Sequence, residues 1–166
     1  MKDQLPKKNW LEQVWVDGIG NINEHLNRIP KNDYSLPYSN HAKAINEVQR
    51  FFVEQTRLGI PVDFSNEGIR GLKHEKTTFF PPQIGVGSTW NKQLVYDIGR
   101  ITGTEAKVLG YTNVYSPILY VCRDPRWGRS CESYSESPYL AGMLGKQQVK
   151  GIQDYVHRSI LVLRHI

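Results

Sequence analysis

Apolar residues recur along this chain in two alternating rhythms. From His41 onward Ala44, Ile45, Val48, Phe51 and Phe52 return every three or four residues. That spacing puts them on one helical face, predicted to run to Leu58. Gly59 is the expected stop, because glycine enters the left-handed conformation a helix C-terminal cap requires. Ile60-Pro-Val-Asp-Phe64 then reads as a short strand, with Pro61 near its start, where a missing ladder donor is tolerated. The order returns further on. Asn91 is a good N-cap, and Leu94, Val95, Ile98 and Ile101 form a second apolar stripe ending near Leu109-Gly110. Asn113 to Val121 is the next strand. Ser137 caps a third helix with Pro138 at its favoured first position, and Leu140, Met143 and Leu144 begin its buried side. Neither strand alternates apolar with polar residues, as expected when both sheet faces are covered. Helix, glycine, strand, polar loop, helix is the rhythm of a parallel α/β sheet.

The flanks are less regular. Trp10-Leu11, Val14-Trp15-Val16 and Ile19 are apolar enough for a short packed element, and 30–40 is a Pro-, Asn- and Ser-rich connection. Residues 1–40 therefore read as an N-terminal extension and loop, 41–154 as the α/β portion, and 155–166 as a divergent tail. The N-terminus lacks the apolar segment of a secretory signal, and no apolar run approaches membrane-spanning length.

Composition narrows the partners. A net charge of +5 invites a polyanion reading, but the basic residues are dispersed, with no run beyond Lys7-Lys8. Clustering is what marks a nucleic-acid surface, so no nucleic-acid or membrane partner is expected. A basic α/β domain taking a phosphorylated or nucleic-acid ligand is the reading that salt dependence would reveal. The two cysteines, Cys122 and Cys131, are too few for a four-ligand metal site. They read equally as a disulfide clamp or as two free thiols. No metal or cofactor is expected.

The densest chemistry lies in the loop after the second strand. Between Val121 and Leu140 stand Arg123, Arg126 and Arg129, the acids Asp124, Glu132 and Glu136, and the aromatics Trp127, Tyr134 and Tyr139. A loop made only to connect elements is short and rich in Gly, Asn and Ser. This one pairs guanidinium forks, which suit oxygen-rich ligands or internal carboxylates, with aromatic faces, which suit the C–H faces of a ring. A second charged group, Asn66-Glu67-Gly-Ile-Arg70, follows the first strand. An acid beside guanidinium groups at neighbouring strand ends accepts from some ring hydroxyls and donates to others.

These residues resemble a known family. Arg123-Asp-Pro-Arg-Trp-Gly-Arg129, followed by Glu132-x-Tyr-x-Glu-x-Pro-Tyr-Leu140, is similar to the signature loop of glycoside hydrolase family 3, which contains retaining β-glucosidases and β-xylosidases. The similarity runs from about Ala44 to Gln153 and takes in 58–71 and Phe80-Pro-Pro-Gln-Ile-Gly-Val-Gly-Ser-Thr-Trp-Asn91. The resemblance implies the incomplete N-terminal part of a (β/α)8 TIM-type barrel, a fold of about 250 residues whose sites lie at the C-terminal strand ends. It implies that Glu67, where the family more often has Asp, binds hydroxyls of the terminal sugar, against a purely structural ion pair with Arg70. It places Arg129 as the sugar-contacting arginine. Arg123, Asp124 and Arg126 hold the loop, Trp127 is a packed anchor, and Glu132 and Glu136 are supports.

A retaining glycosidase needs two carboxyl groups ~5–5.5 Å apart. The family's nucleophile is an Asp in a Ser-Asp-Trp-like motif on a later strand, which these residues lack, so no catalytic residue is expected in this chain. The family next continues to a Lys-His pair that also binds sugar. Here Arg164-His165 is either a variant of that pair, which adds Arg164 and His165 to Arg70 as further substrate-binding candidates, or part of a foreign segment from a frameshift or assembly error. The expected partners are an oligosaccharide or β-glucoside and the remainder of the protein's own barrel and C-terminal domain. A periplasmic or secreted location is what the family implies. The competing reading is a non-catalytic carbohydrate-binding or scaffold protein on the same fold.

Overall fold

A computed structural model describes residues 15–24, 38–154 and 160–161. The chain divides into two compact units, Met1–Phe64 and Ser65–Ile166.

In the first unit, strand β1 (Asn21–Asn23) precedes helix α1 (Tyr38–Gln55). The predicted face is the buried one: Ala44, Ile45, Val48, Phe51 and Phe52 all lie in the core with Val62 and Phe64. Trp15 packs on Phe52 with ring centroids 5.7 Å apart. The helix ends at Gln55, three residues short of the predicted Leu58. Thr56 Oγ1 donates back to the Phe52 carbonyl (2.6 Å), and the Arg57 amide leaves the helical ladder to donate to the Val16 carbonyl (2.8 Å). Leu58 is consequently exposed. Gly59 does carry the expected left-handed backbone, at φ +61°. Gln49 satisfies both polar groups of Val62, donating to its carbonyl (3.0 Å) and accepting from its amide (2.9 Å). A side-chain amide thus does for Val62 what a neighbouring strand would otherwise do.

Strand β2 spans Asp63–Glu67, shifted from the predicted 60–64, and the division between units falls within it. The second unit continues with a short helix α2 (Gln83–Gly87), helix α3 (Lys92–Leu109), strand β3 (Asn113–Tyr115), a 3-10 turn (Ser130–Glu132), helix α4 (Pro138–Gln153) and strand β4 (Ile160–Leu161). β2 and β3 run parallel with Ser65, Asn66 and Glu67 opposite Asn113, Val114 and Tyr115. β3 and β4 are parallel as well, Asn113 facing Ile160 and Val114 facing Leu161. The apolar run in the tail therefore contributes a strand. The predicted parallel α/β class is the observed one.

β3 stops at Tyr115, well before the predicted Val121. Pro117 has no amide to give a ladder, yet Ile118 and Tyr120 beyond it stay buried. The predicted caps are present: Asn91 Oδ1 accepts from the Leu94 amide (3.0 Å), Ser137 Oγ from the Leu140 amide (3.4 Å), and Gly110 closes α3 at φ +79°. Helices α3 and α4 meet at glycines. A Cβ on Gly99 would lie 2.4 Å from the Gln148 carbonyl, on Gly103 2.6 Å from that of Ile152, and on Gly151 2.2 Å from that of Tyr96. Backbones thus touch where side chains ordinarily would.

Candidate functional site

Glu67 is the last residue of β2, half-buried, and Gly68 follows it. The Gly68 amide donates to the Tyr115 carbonyl (3.4 Å), and a Cβ at that position would lie 2.3 Å from Val114 Cγ1. Glycine is therefore what lets the end of β2 lie against β3. Asn66 Oδ1, fully buried, accepts from the Lys73 amide (3.0 Å) and turns the chain away from the strand.

Arg129 lies in the long loop after β3, its side chain one-third exposed. Its Nε donates to Glu132 Oε2 (2.9 Å), and its Nη2 reaches the same oxygen. The Glu132 carboxylate, through this hydrogen bonding, holds the Arg129 guanidinium charged above its ordinary range; the fields of Glu132, Tyr120 and Glu67 act in the same sense. Of these fields that of Glu67 is the smallest. The same backbone stretch is held from below, because the Tyr120 hydroxyl donates to the Arg129 carbonyl and the Tyr120 ring meets Trp127 edge-on at 4.1 Å. Burial, followed by the negative fields of Glu132 and Cys122, pushes the Tyr120 phenol up to about 12.

Among the remaining loop groups, Asp124 and Arg126 pair with each other. Asp124 accepts from the Arg126 amide (2.9 Å) and forks with its guanidinium through Nε (3.0 Å) and Nη2 (2.7 Å). Trp127 packs on Tyr120. Glu132 supports Arg129. Arg70 turns elsewhere: its Nε donates to the Phe80 carbonyl (3.3 Å) and its guanidinium lies 4.5 Å from the Phe79 ring centroid. Arg164 and His165 lie outside the described residues.

Sequence reasoning missed the supports. The Tyr134 hydroxyl bonds to Gln148 Oε1, Gln83 Nε2 donates to the same oxygen (3.3 Å), and Gln148 Nε2 donates to Ser116 Oγ (2.9 Å). These buried groups tie the loop's C-terminal end to α2, α4 and the end of β3. Burial drives the Tyr134 phenol upward in pKa. Glutamines carry no pattern that marks them as buried, so nothing in the sequence announces this network. Ser133 Oγ adds a bond to the Tyr120 carbonyl (2.9 Å).

Beside this arrangement lies a groove of about 610 Å³, whose walls include Trp90, Cys122, Arg123, Cys131 and Glu136. Among the described residues there is no group of three or more His, Cys, Asp or Glu side chains placed to hold a metal ion, and no helix long and apolar enough to cross a membrane.

With this geometry in place, the chain can be set beside known proteins. The family model described as the glycosyl hydrolase family 3 N terminal domain matches residues 2–165. A periplasmic β-glucosidase of Salmonella typhimurium is 34% identical over 109 residues, which is 66% of this chain and 14% of that protein. A putative β-xylosidase of Formosa agariphila is 30% identical over 141 residues, 85% of this chain and 17% of that protein. Among solved structures, an exo-1,3/1,4-β-glucanase from a Pseudoalteromonas species superposes with a TM-score of 0.75 at 30% identity, covering 86% of this chain and 18% of that one. The chain thus spans less than a fifth of the length of each of these relatives.

Proposed function

The chain belongs to the glycosyl hydrolase family 3 N-terminal domain family, and on that premise we propose that it supplies the sugar-binding edge of a retaining, exo-acting β-glycosidase. The substrates are terminal β-D-glucosyl or β-D-xylosyl residues of oligosaccharides, in keeping with relatives named for both sugars. Glu67 accepts from ring hydroxyls and Arg129 donates to them. Arg164 and His165 are further substrate-binding candidates, and Arg70 would join them only by leaving the Phe80 carbonyl and the Phe79 ring. The 41–154 stretch forms the N-terminal half of the barrel, and the nucleophile and acid/base come from residues outside these 166, so the chain alone is inactive.

What supports this reading is that Glu67 ends β2 while Arg129 stands in the long loop that follows the adjacent parallel strand β3, where the Glu67 field acts, weakly, on its guanidinium. Sites in (β/α)8 proteins lie at that end of the strands. An acid and a guanidinium there match the mixed donor and acceptor character of a polyhydroxylated ring. Glu132 contributes by orientation: with two arginine nitrogens engaged on one oxygen, the plane of the guanidinium is fixed.

Glucose binding to the chain, measured by calorimetry, tests the proposal. Hydrogen bonds to charged groups contribute ~1.5–3 kcal/mol, so Glu67→Ala and Arg129→Ala should each weaken affinity about 10- to 100-fold. Arg126→Ala, which removes only the exposed fork to Asp124, should leave affinity unchanged. Equal glucose affinity in all three variants would sink the assignment. Stabilisation of the fold by heparin, with none by glucose or xylose, would favour the polyanion reading instead.

A further inference from the structure

We propose that Cys122 and Cys131 form a reversible thiol–disulfide pair that clamps the arginine loop. Both are free thiols, Cys131 exposed and Cys122 partly so, and both line the same groove. Nine positions separate them, but hydrogen bonds tie the two sides of the loop to one carbonyl. Cys122 Sγ donates to the Asp124 carbonyl (3.5 Å), and the hydroxyl of Ser130, the residue before Cys131, donates to that same oxygen (3.4 Å). Ser130 Oγ also bonds to the Trp127 carbonyl (2.7 Å), closing the turn on which Cys131 stands. The two thiols also share a neighbour in Tyr120. After burial, whose effect is the largest, and the field of Glu132, both Cys122 and Cys131 add to the upward push on its phenol. A disulfide needs Cα atoms within about 7 Å and side chains facing one another. The common acceptor and the common groove place both thiols on the same side of the loop, the arrangement from which such a bond would close.

The exchange balances with a low-molecular-weight disulfide as oxidant. The exposed Cys131 thiolate attacks one sulfur of oxidised glutathione, forming a mixed disulfide and releasing one glutathione thiolate. The Cys122 thiolate then attacks the Cys131 sulfur, the protein disulfide forms, and a second glutathione leaves. Two electrons pass from the cysteine pair to glutathione, and the two protons end on the released thiols. Closure fixes the turn that presents Arg129. Its effect on ligand affinity rests on the sugar-binding role proposed above, while formation of the bond does not.

The three intervening arginines make the test direct. The intact chain is equilibrated with oxidised and reduced glutathione, its free thiols are alkylated, and it is digested with trypsin, which cuts after Arg123, Arg126 and Arg129 and leaves the two cysteines on separate peptides. The expected product is a single linked peptide pair that separates on reduction. The folded chain should reach half-closure at an oxidised-to-reduced ratio at least tenfold lower than the same chain in urea. Persistent glutathione adducts, disulfide-linked dimers or unreacted thiols would overturn the pair, as would equal closure with and without urea. Cys131→Ser should instead hold one stable glutathione on Cys122. A mapped disulfide that leaves glucose affinity unaltered supports the pair and counts against Arg129 as a sugar ligand.

Discussion

At Arg129 three groups converge on one residue from different directions. Glu132 takes two guanidinium nitrogens, the Tyr120 hydroxyl takes the backbone carbonyl, and the Glu67 carboxylate acts across the strand ends. Tyr120 links this arrangement to pH. Its folded pKa, about 12, lies above the ordinary value of 10, so its contribution to stability is complete below about pH 10 and is lost as pH rises toward 12. Tyr134, raised through burial, acts in the same direction. Urea midpoints at about pH 8 and about pH 11 should therefore fall with alkalinity, and Tyr120→Phe should shrink that fall. A midpoint that holds steady, or a slope identical in the variant, would remove Tyr120 from this role. The pairing of Asp124 with Arg126 was legible in the sequence because the two stand two positions apart, whereas the supporting role of Glu132 was implied only by the family resemblance. The roles of Gln83, Gln148 and Tyr134 were not legible, since their bonds join residues 14 to 65 positions apart.

The elements show where pattern reading succeeds and where it stops. Helix caps are legible at Asn91, Gly110 and Ser137, because a cap depends on a side chain and its immediate neighbours. Strand limits are not. β2 includes the buried polar residues Ser65 and Asn66, which no hydrophobic pattern assigns to a strand. α2, only five residues long, offers too few turns for a periodicity to register. The α3–α4 contact is equally silent, because glycine contributes nothing to an apolar stripe. Gly151→Ala should cost ~1–3 kcal/mol as overpacking and lower Tm, since its Cβ would stand 2.2 Å from one carbonyl and 2.7 Å from the Arg100 amide nitrogen. Asn91→Ala, which loses only a cap, should cost ~1 kcal/mol. Thermal melts of both variants check the pair, and a neutral Gly151→Ala would mean the helices sit further apart than described.

For the molecule as a whole, the repeating helix–strand rhythm was sufficient to assign a parallel α/β class, and the parallel pairing of β2, β3 and β4 agrees with it. The resemblance of the arginine loop named the family that the match over residues 2–165 shows. What could not be read was the division into two compact units. It falls inside β2, where the chain is continuous in pattern and has no linker composition. At this scale the proposal makes one demand on chemistry. With the nucleophile and acid/base of a retaining enzyme proposed to lie outside these residues, an aryl β-glucoside should be cleaved by this chain at no more than the buffer's own rate. Turnover above that background, abolished by Glu67→Gln, would place the chemistry within these residues and overturn the assignment of the nucleophile to elsewhere.

The close fit of Gly68 against Val114 limits how far the end of β2 can shift. Because β2 is wedged against its neighbour just past the acid, the main chain has no slack with which to advance or retreat. Trading Glu67 for the shorter aspartate would pull the carboxylate back by a full methylene, with no compensating advance of the backbone. On the sugar-binding role proposed for Glu67, the reach of that one side chain, rather than any give in the strand, sets where its carboxylate meets a ring.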